Sequence, residues 1–215
     1  MTSRVLMFLL FYTTLLIPIQ GEARTCPSSE APGWSKELRQ LYADCSNTVA
    51  SPNGSIIFQA GPAGRLHIVS GRRPLALIGN QQLGLPAVIS WSPSSTEFFL
   101  NDGNGSGLSS RLRLFHVLAS TVKEEDSLDE AIVKIYRGRN RCSSSSDNPN
   151  VYGVGWSTDG KILYAVAQST VNAPCGEPTR YLGFIVNTET NRINQVLEAQ
   201  QFKSEYGRFL PEELR

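Results

Sequence analysis

From residue 55 onward the apolar positions fall in short runs, separated by clusters of Gly, Pro, Ser, Asn and Asp. Runs at 55–58, 66–69 and 75–78 form a first group, with Gly61-Pro62-Ala63-Gly64 as a turn between the first two. Runs at 87–91, 97–100 and 111–117 form a second, and runs at 151–156, 161–167, 181–186 and 193–197 a third. This spacing predicts antiparallel strands joined in meanders. Within 111–117, Leu112, Leu114 and His116 share one face, and Arg111 and Arg113 point the other way. Within 161–167 both faces are apolar, with Ile162, Tyr164 and Val166 on one and Leu163, Ala165 and Ala167 on the other. That pattern predicts a sheet covered on both sides.

Two stretches read as helices instead. Trp34, Leu38, Leu41 and Cys45 recur at helical spacing and predict a short helix in an N-terminal arm. Ser127-Leu128-Asp129-Glu130 has capping-box spacing, and Leu128, Ala131, Ile132 and Ile135 line one side of a helix over 127–137. The acids Glu124, Glu125 and Asp126 suit the start of that helix, where the dipole favours anions. The fold class expected is mainly β, built of antiparallel blade-like meanders with one or two short helices.

The first residues carry a different signal. Arg4 precedes an apolar run over 5–19, which Pro18 closes, and Gly21-Glu22-Ala23 follows with small residues where a signal peptidase reads. The run suits a signal-peptide core and is short for a membrane span. The organisation expected is a signal peptide at 1–23, an arm with a short helix at 24–54, a β domain at 55–198 and a tail at 199–215. Export, to a periplasm or the extracellular space, follows as the expected localisation.

Charge changes little: twenty Lys and Arg stand against nineteen Asp and Glu. A near balance argues against a general nucleic-acid binder, which needs a basic surplus. No segment after the signal is long and apolar enough to span a membrane as a helix. The four cysteines change more, since an even count in an exported chain reads as disulfides. Pairing by nearest neighbours gives Cys26–Cys45 and Cys142–Cys175. No CxxC or HxxxH spacing supports zinc.

Two segments repeat a form. Val88-Ile89-Ser90-Trp91-Ser92-Pro93-Ser94-Ser95 leads into a strand, and so does Val154-Gly155-Trp156-Ser157-Thr158-Asp159-Gly160. Each reads as an apolar strand, Trp-Ser, a tight polar turn and a return strand. The hairpin residues Trp91, Ser92, Trp156, Ser157, Asp159 and Gly160 resemble the turn between the first two strands of a blade in β-propellers of the WD-repeat and Tol-type families. Arg111-Leu112-Arg113-Leu114-Phe115 resembles a third strand, and 181–186 with Asn187-Thr188-Glu189-Thr190 a third strand with its exit turn. The resemblance implies two blades and a third at 55–79, fewer than the four of a closed ring. An open stack, an oligomer that closes the ring, or another β fold with similar hairpins are the arrangements it leaves.

Chemistry-bearing motifs are few. Asp102, Asn104 and Ser106 match the opening of a calcium loop, but Arg113 occupies the position of its bidentate acid, and a flexible turn explains the same residues. The two histidines, His67 and His116, have no nucleophile elbow to serve. Arg137, Arg139 and Arg141 make a basic cluster at a helix end. Asn53-Gly54-Ser55 and Asn104-Gly105-Ser106 fit the N-glycosylation pattern, which has meaning only in a eukaryotic source. The function expected is an exported propeller-like binding or scaffolding module with no identifiable catalytic motif, whose partner is a protein or another extracytoplasmic ligand. The alternatives are a secreted or periplasmic hydrolase and a structural accessory protein of the cell envelope.

Overall fold

A computed structural model describes residues 24–27, 29–103, 110–139, 149–169 and 181–215. The expected signal peptide, Asn104, Ser106, Cys142 and Cys175 lie outside the described residues. The fold is mainly β and antiparallel, with short helices, in line with the expected class.

Three four-stranded meanders follow one another. The first holds β2 (Asn47–Ala50), β3 (Ile56–Ala60), β4 (Leu66–Ser70) and β5 (Arg73–Ile78). The second holds β6 (Ala87–Trp91), β7 (Glu97–Asp102), β8 (Arg111–Val117) and β9 (Thr121–Glu125), and the third holds β10 (Asn150–Trp156), β11 (Ile162–Gln168), β12 (Tyr181–Asn187) and β13 (Arg192–Glu198). Before them runs β1 (Arg39–Leu41), which pairs with β6. A helix α1 (Ser127–Arg139) links the second and third units, and α2 (Ala199–Tyr206) with two tight helical turns ends the chain.

The first two units share one sheet. Their outer strands β5 and β9 pair in parallel, giving the order β1-β6-β7-β8-β9-β5-β4-β3-β2. The sheet curls until its edges β1 and β2 nearly meet. Buried Asn47 fills that gap: its Oδ1 accepts from Tyr42 N at 2.7 Å, and its Nδ2 donates to Tyr42 O at 2.8 Å and to Ala60 O at 3.3 Å. The core between the two units includes Phe58, Ile68, Ile89, Trp91, Phe98 and Phe115. Phe98 stacks on Phe115 at 4.7 Å and meets Phe58 edge-on at 5.7 Å.

The third unit is a separate sheet that packs face to face on β6–β8. Val88, Phe99, Leu112 and Leu114 meet Trp156, Leu163, Ala165, Ala167, Leu182 and Phe184 there, and Leu128, Ile132 and Tyr136 of α1 close one side. A bulge between Gly153 and Gly155 in β10 shifts the side-chain alternation by one residue, which turns Trp156 onto the face toward the second unit. The far face of the third unit buries Val154, Val166 and Ile185 under Phe202, Phe209 and Leu214 from the chain end. The two apolar faces of β11 therefore both have partners, as its pattern predicts.

Two expectations are corrected. Residues 34–45 form no helix: the chain turns at 32–37 and then enters β1. Leu38 and Leu41 are both fully buried, but in the two different cores on opposite faces of the sheet. An edge strand covered on both faces imitates the helical interval. Glu124 and Glu125 lie in β9 rather than at a helix start. Glu124 is buried because it pairs with Arg113, which no local pattern announces.

Candidate functional site

The hairpin that opens each unit is built the same way three times. In the second, Ser92 N donates to Glu97 O, Ser95 N to Ser92 O, and Glu97 N to Ser92 Oγ. In the third, Ser157 N donates to Ile162 O, Gly160 N to Ser157 O, and Ile162 N to Ser157 Oγ. The first repeats this with Ser51, Gly54 and Ile56. The fourth position needs a left-handed backbone, and Gly54, Ser95 and Gly160 sit at φ of 70°, 63° and 74°. The third position reaches back to the serine hydroxyl: Asn53 Oδ1 lies 2.9 Å from Ser51 Oγ, Ser94 Oγ 2.9 Å from Ser92 Oγ, and Asp159 Oδ1 2.5 Å from Ser157 Oγ. The three hairpins stand side by side, with Asn53 N donating to Ser95 Oγ at 3.2 Å and Ser94 packed against Gly160. Sequence reading found two of the three. The first lacks the tryptophan, which is Ala50 there, and the signal that identifies it is Ser51-Pro52-Asn53-Gly54.

Beside these hairpins opens a cleft of about 730 Å³, within the range of ligand pockets. All three tryptophans of the chain line it. Trp91 and Trp156 end the first strands of the second and third units, and Pro93 and Thr158 of their hairpins extend the wall. Trp34 comes from the strap before β1 and meets Tyr152 edge-on at 5.6 Å. The strap is fixed by Ala31 N donating to Leu38 O and Trp34 N to Ala31 O. Its outer side is tied to the chain end, where Glu212 N donates to Gly33 O at 2.8 Å. The chain end supplies Arg208, which lies over the Phe209 ring at 4.6 Å, and Arg215, whose Nε donates to Leu210 O. A smaller hollow of about 150 Å³ lies on the other side of Trp34 against Tyr152 and Glu213. Burial, and then Glu213, push the Tyr152 phenol up to about 12.

The polar inventory of the cleft is unusual. Among the described residues, four buried side-chain polar atoms have no hydrogen-bond partner. Three of them, Ser35 Oγ, Trp91 Nε1 and Trp156 Nε1, belong to residues of the cleft wall, and the fourth, Ser90 Oγ, is next to Trp91. Ser35, Trp91 and Trp156 are each at least nine-tenths buried. An unpartnered buried donor costs about 1–3 kcal/mol, so their gathering at one place marks a wall suited to acceptor groups. These atoms are closed off from solvent, and an acceptor reaches them only with a shift of the strap or the rings. Around the mouth stand Lys36, Arg208 and Arg215 with Glu30, Glu37 and Glu212, none in an ion pair among the described residues.

The other residues singled out by sequence lie elsewhere. Cys26 and Cys45 are disulfide-bonded and fasten the arm to the turn before β2. Asp102 ends β7, where its Oδ1 accepts from Gly84 N at 2.9 Å and its Oδ2 from Arg113 Nη1 at 3.2 Å. Arg113 is buried and also donates to both oxygens of Glu124 and to the carbonyls of Gln82 and Asn80. Its burial opposes the charge, but Glu124 and Asp102 outweigh it and hold the guanidinium above its ordinary value. This group pins the 79–84 connection to the barrel. His67 is exposed on β4. His116 Nδ1 lies 3.1 Å from Glu97 Oε1, and its Nε2 lies 3.2 Å from Oδ1 of Asn191, which donates to Glu125 from the β12–β13 turn. Neither histidine is in the cleft.

No family model and no curated protein sequence matches the chain. Among solved structures it is similar to the periplasmic gluconolactonase PpgL of Pseudomonas aeruginosa, with 13% identity and a TM-score of 0.37 over 71% of this chain and 39% of that one. It is also similar to the β-propeller domain of Cps50 (Swd1) from Myceliophteria thermophila, with 13% identity and a TM-score of 0.38 over 76% of this chain and 44% of that one. The chain thus spans less than half the length of either. Its own geometry carries the propeller-like character: three successive four-stranded meanders, stacked face to face, with equivalent hairpins in a row. The described residues contain no helix long and apolar enough to cross a membrane.

Proposed function

We propose that the protein is an exported binding module of propeller-like blades, and that the three-tryptophan cleft receives its ligand. The single observation behind this reading is the gathering of Trp34, Trp91 and Trp156 with three unpartnered buried polar atoms in one cleft. Aromatic rings supply large contact area at low entropic cost, and indole N–H groups can only donate. The matching ligand offers a flat apolar surface and carbonyl or carboxylate acceptors, as a segment of a partner protein does. The arginines and glutamates at the mouth would set its orientation.

Capture from the native secreted fraction tests the reading, with the immobilised wild-type protein beside Arg208→Glu and Trp34→Phe. The reading expects one set of partners on the wild type, reduced at least tenfold by Arg208→Glu and several-fold by Trp34→Phe. Equal capture by all three, with the variants folded by circular dichroism, would remove the cleft from the account.

A further inference from the structure

The first hairpin carries a feature the other two lack. It presents Asn53-Gly54-Ser55 on an exposed turn between β2 and β3. Asn53 Oδ1 is held from three sides, by Ser51 Oγ at 2.9 Å, Ser55 N at 2.9 Å and Ser55 Oγ at 2.7 Å. The amide nitrogen Nδ2 has no partner among the described residues. In the third hairpin Asp159 occupies the same position and accepts from Ser157 Oγ and Lys161 N in the same way. A carboxylate therefore serves this turn as well as an amide. The turn alone gives no reason for the –NH2 group of Asn53, and the Asn-Gly-Ser acceptor pattern on an exposed turn gives one.

We propose that Asn53 is an N-glycosylation site of the exported protein. The proposal rests on the export reading and is independent of the cleft. In the reaction a bond forms between Asn53 Nδ2 and the anomeric carbon of an oligosaccharide carried on a lipid pyrophosphate. The anomeric carbon–oxygen bond breaks, the lipid pyrophosphate leaves, and the transferase's base takes one amide proton. The Ser55 hydroxyl, bonded to Asn53 Oδ1, draws electron density from the amide and eases the loss of its N–H proton to that base. The acceptor must be on an accessible turn in an exported chain, and exposed Asn53 meets the first condition. A glycan there would stand one hairpin away from the cleft mouth, since Asn53 touches Ser95 of the neighbouring hairpin.

Mass spectrometry of the peptide containing Asn53 tests this on protein isolated from the native secreted fraction. The expected result is a hexose-containing adduct on Asn53, released by peptide N-glycosidase with conversion of Asn53 to aspartate. In the same host, Asn53→Asp should remove the adduct while keeping the turn, as Asp159 does in the third unit. Ser55→Ala should also remove it, and Ser55→Thr should keep it. A native peptide that is unmodified at Asn53 overturns the proposal, and so does an adduct that survives Ser55→Ala. Neither result touches the cleft, and failure of ligand capture leaves this test intact.

Discussion

The two interfaces between blades are made differently. Units one and two are joined by main-chain pairing at β5–β9 and by a shared apolar core, and the buried Arg113 cluster of the second unit pins the 79–84 connection between them. Units two and three are joined by side-chain packing between separate sheets, with only local polar links. One of these is Asn101, whose amide exchanges hydrogen bonds with Gly153 N and O at 2.8 and 2.9 Å. Another is the chain Glu97–His116–Asn191–Glu125 at the opposite edge. The first interface resists sliding because the β5–β9 backbone ladder fixes its register, and the Arg113 guanidinium holds the connection between the units. The second depends on shape, and the cleft opens where its tryptophan edge meets the hairpins. A site that must adjust to a ligand lies sensibly on the interface held by packing.

The largest effect should come from the buried cluster that holds the connection between the first two units. Arg113→Met leaves Glu124 and Asp102 buried without their cation, a loss on the order of 3–5 kcal/mol, read by urea denaturation. Adding Glu124→Gln and Asp102→Asn to that variant should recover a large part of it. If Arg113→Met costs under 1 kcal/mol, the cluster is not what holds the connection between the first two units.

At the second interface Gly153 is the sensitive point. A Cβ there would lie 2.7 Å from the Phe99 ring. Gly153→Ala should cost about 1–3 kcal/mol by overpacking, and Phe99→Leu should relieve part of that loss in the double variant. Simple additivity of the two losses would show that the sheets are not in contact there.

The smallest effect concerns the helix that closes one side of the second interface. Burial raises the Asp129 carboxyl to about 6, and the Leu112 N–H and Arg111 only partly oppose it. The folded state therefore keeps a proton that the unfolded chain has lost between about pH 4 and 6. Stability from this group is highest below the unfolded value, falls as pH rises through that window, and the penalty is complete above about 6. Asp129→Asn keeps the acceptor for Leu112 N and removes the charge. It should raise stability by about 1–2 kcal/mol at pH 7 and leave it unchanged at pH 4. A gain of equal size at both pH values would contradict the assigned cause.

Sequence reading reached much of this fold where burial was continuous. Strands β11 and β12 of the third unit are apolar on both faces, and the turn residues that bound them support the strand form. It missed β2, Asn47–Ala50, because a strand whose one buried side chain is a hydrogen-bonding asparagine has no apolar signal. It misread β9, because Glu124 is buried only through an arginine eleven positions away. The tryptophans were visible as hairpin residues and as an anchor in the arm. Their meeting in one cleft was not, since Trp34 reaches it through the strap, and Trp156 through a bulge that reverses strand parity. The expectation of export rests on a segment outside the described residues, and the Cys26–Cys45 bond is consistent with it.

The chain's three tryptophans all line the cleft, so 5-fluorotryptophan labelling gives one fluorine signal for each part of the proposed site. The direct test is a titration of the labelled protein with the unlabelled native secreted fraction, followed by 19F NMR. The account predicts that the Trp34 resonance shifts or broadens first, that Trp91 and Trp156 follow, and that Arg208→Glu abolishes the change. Three unmoved resonances, under conditions where a partner is retained on the immobilised protein, would contradict it.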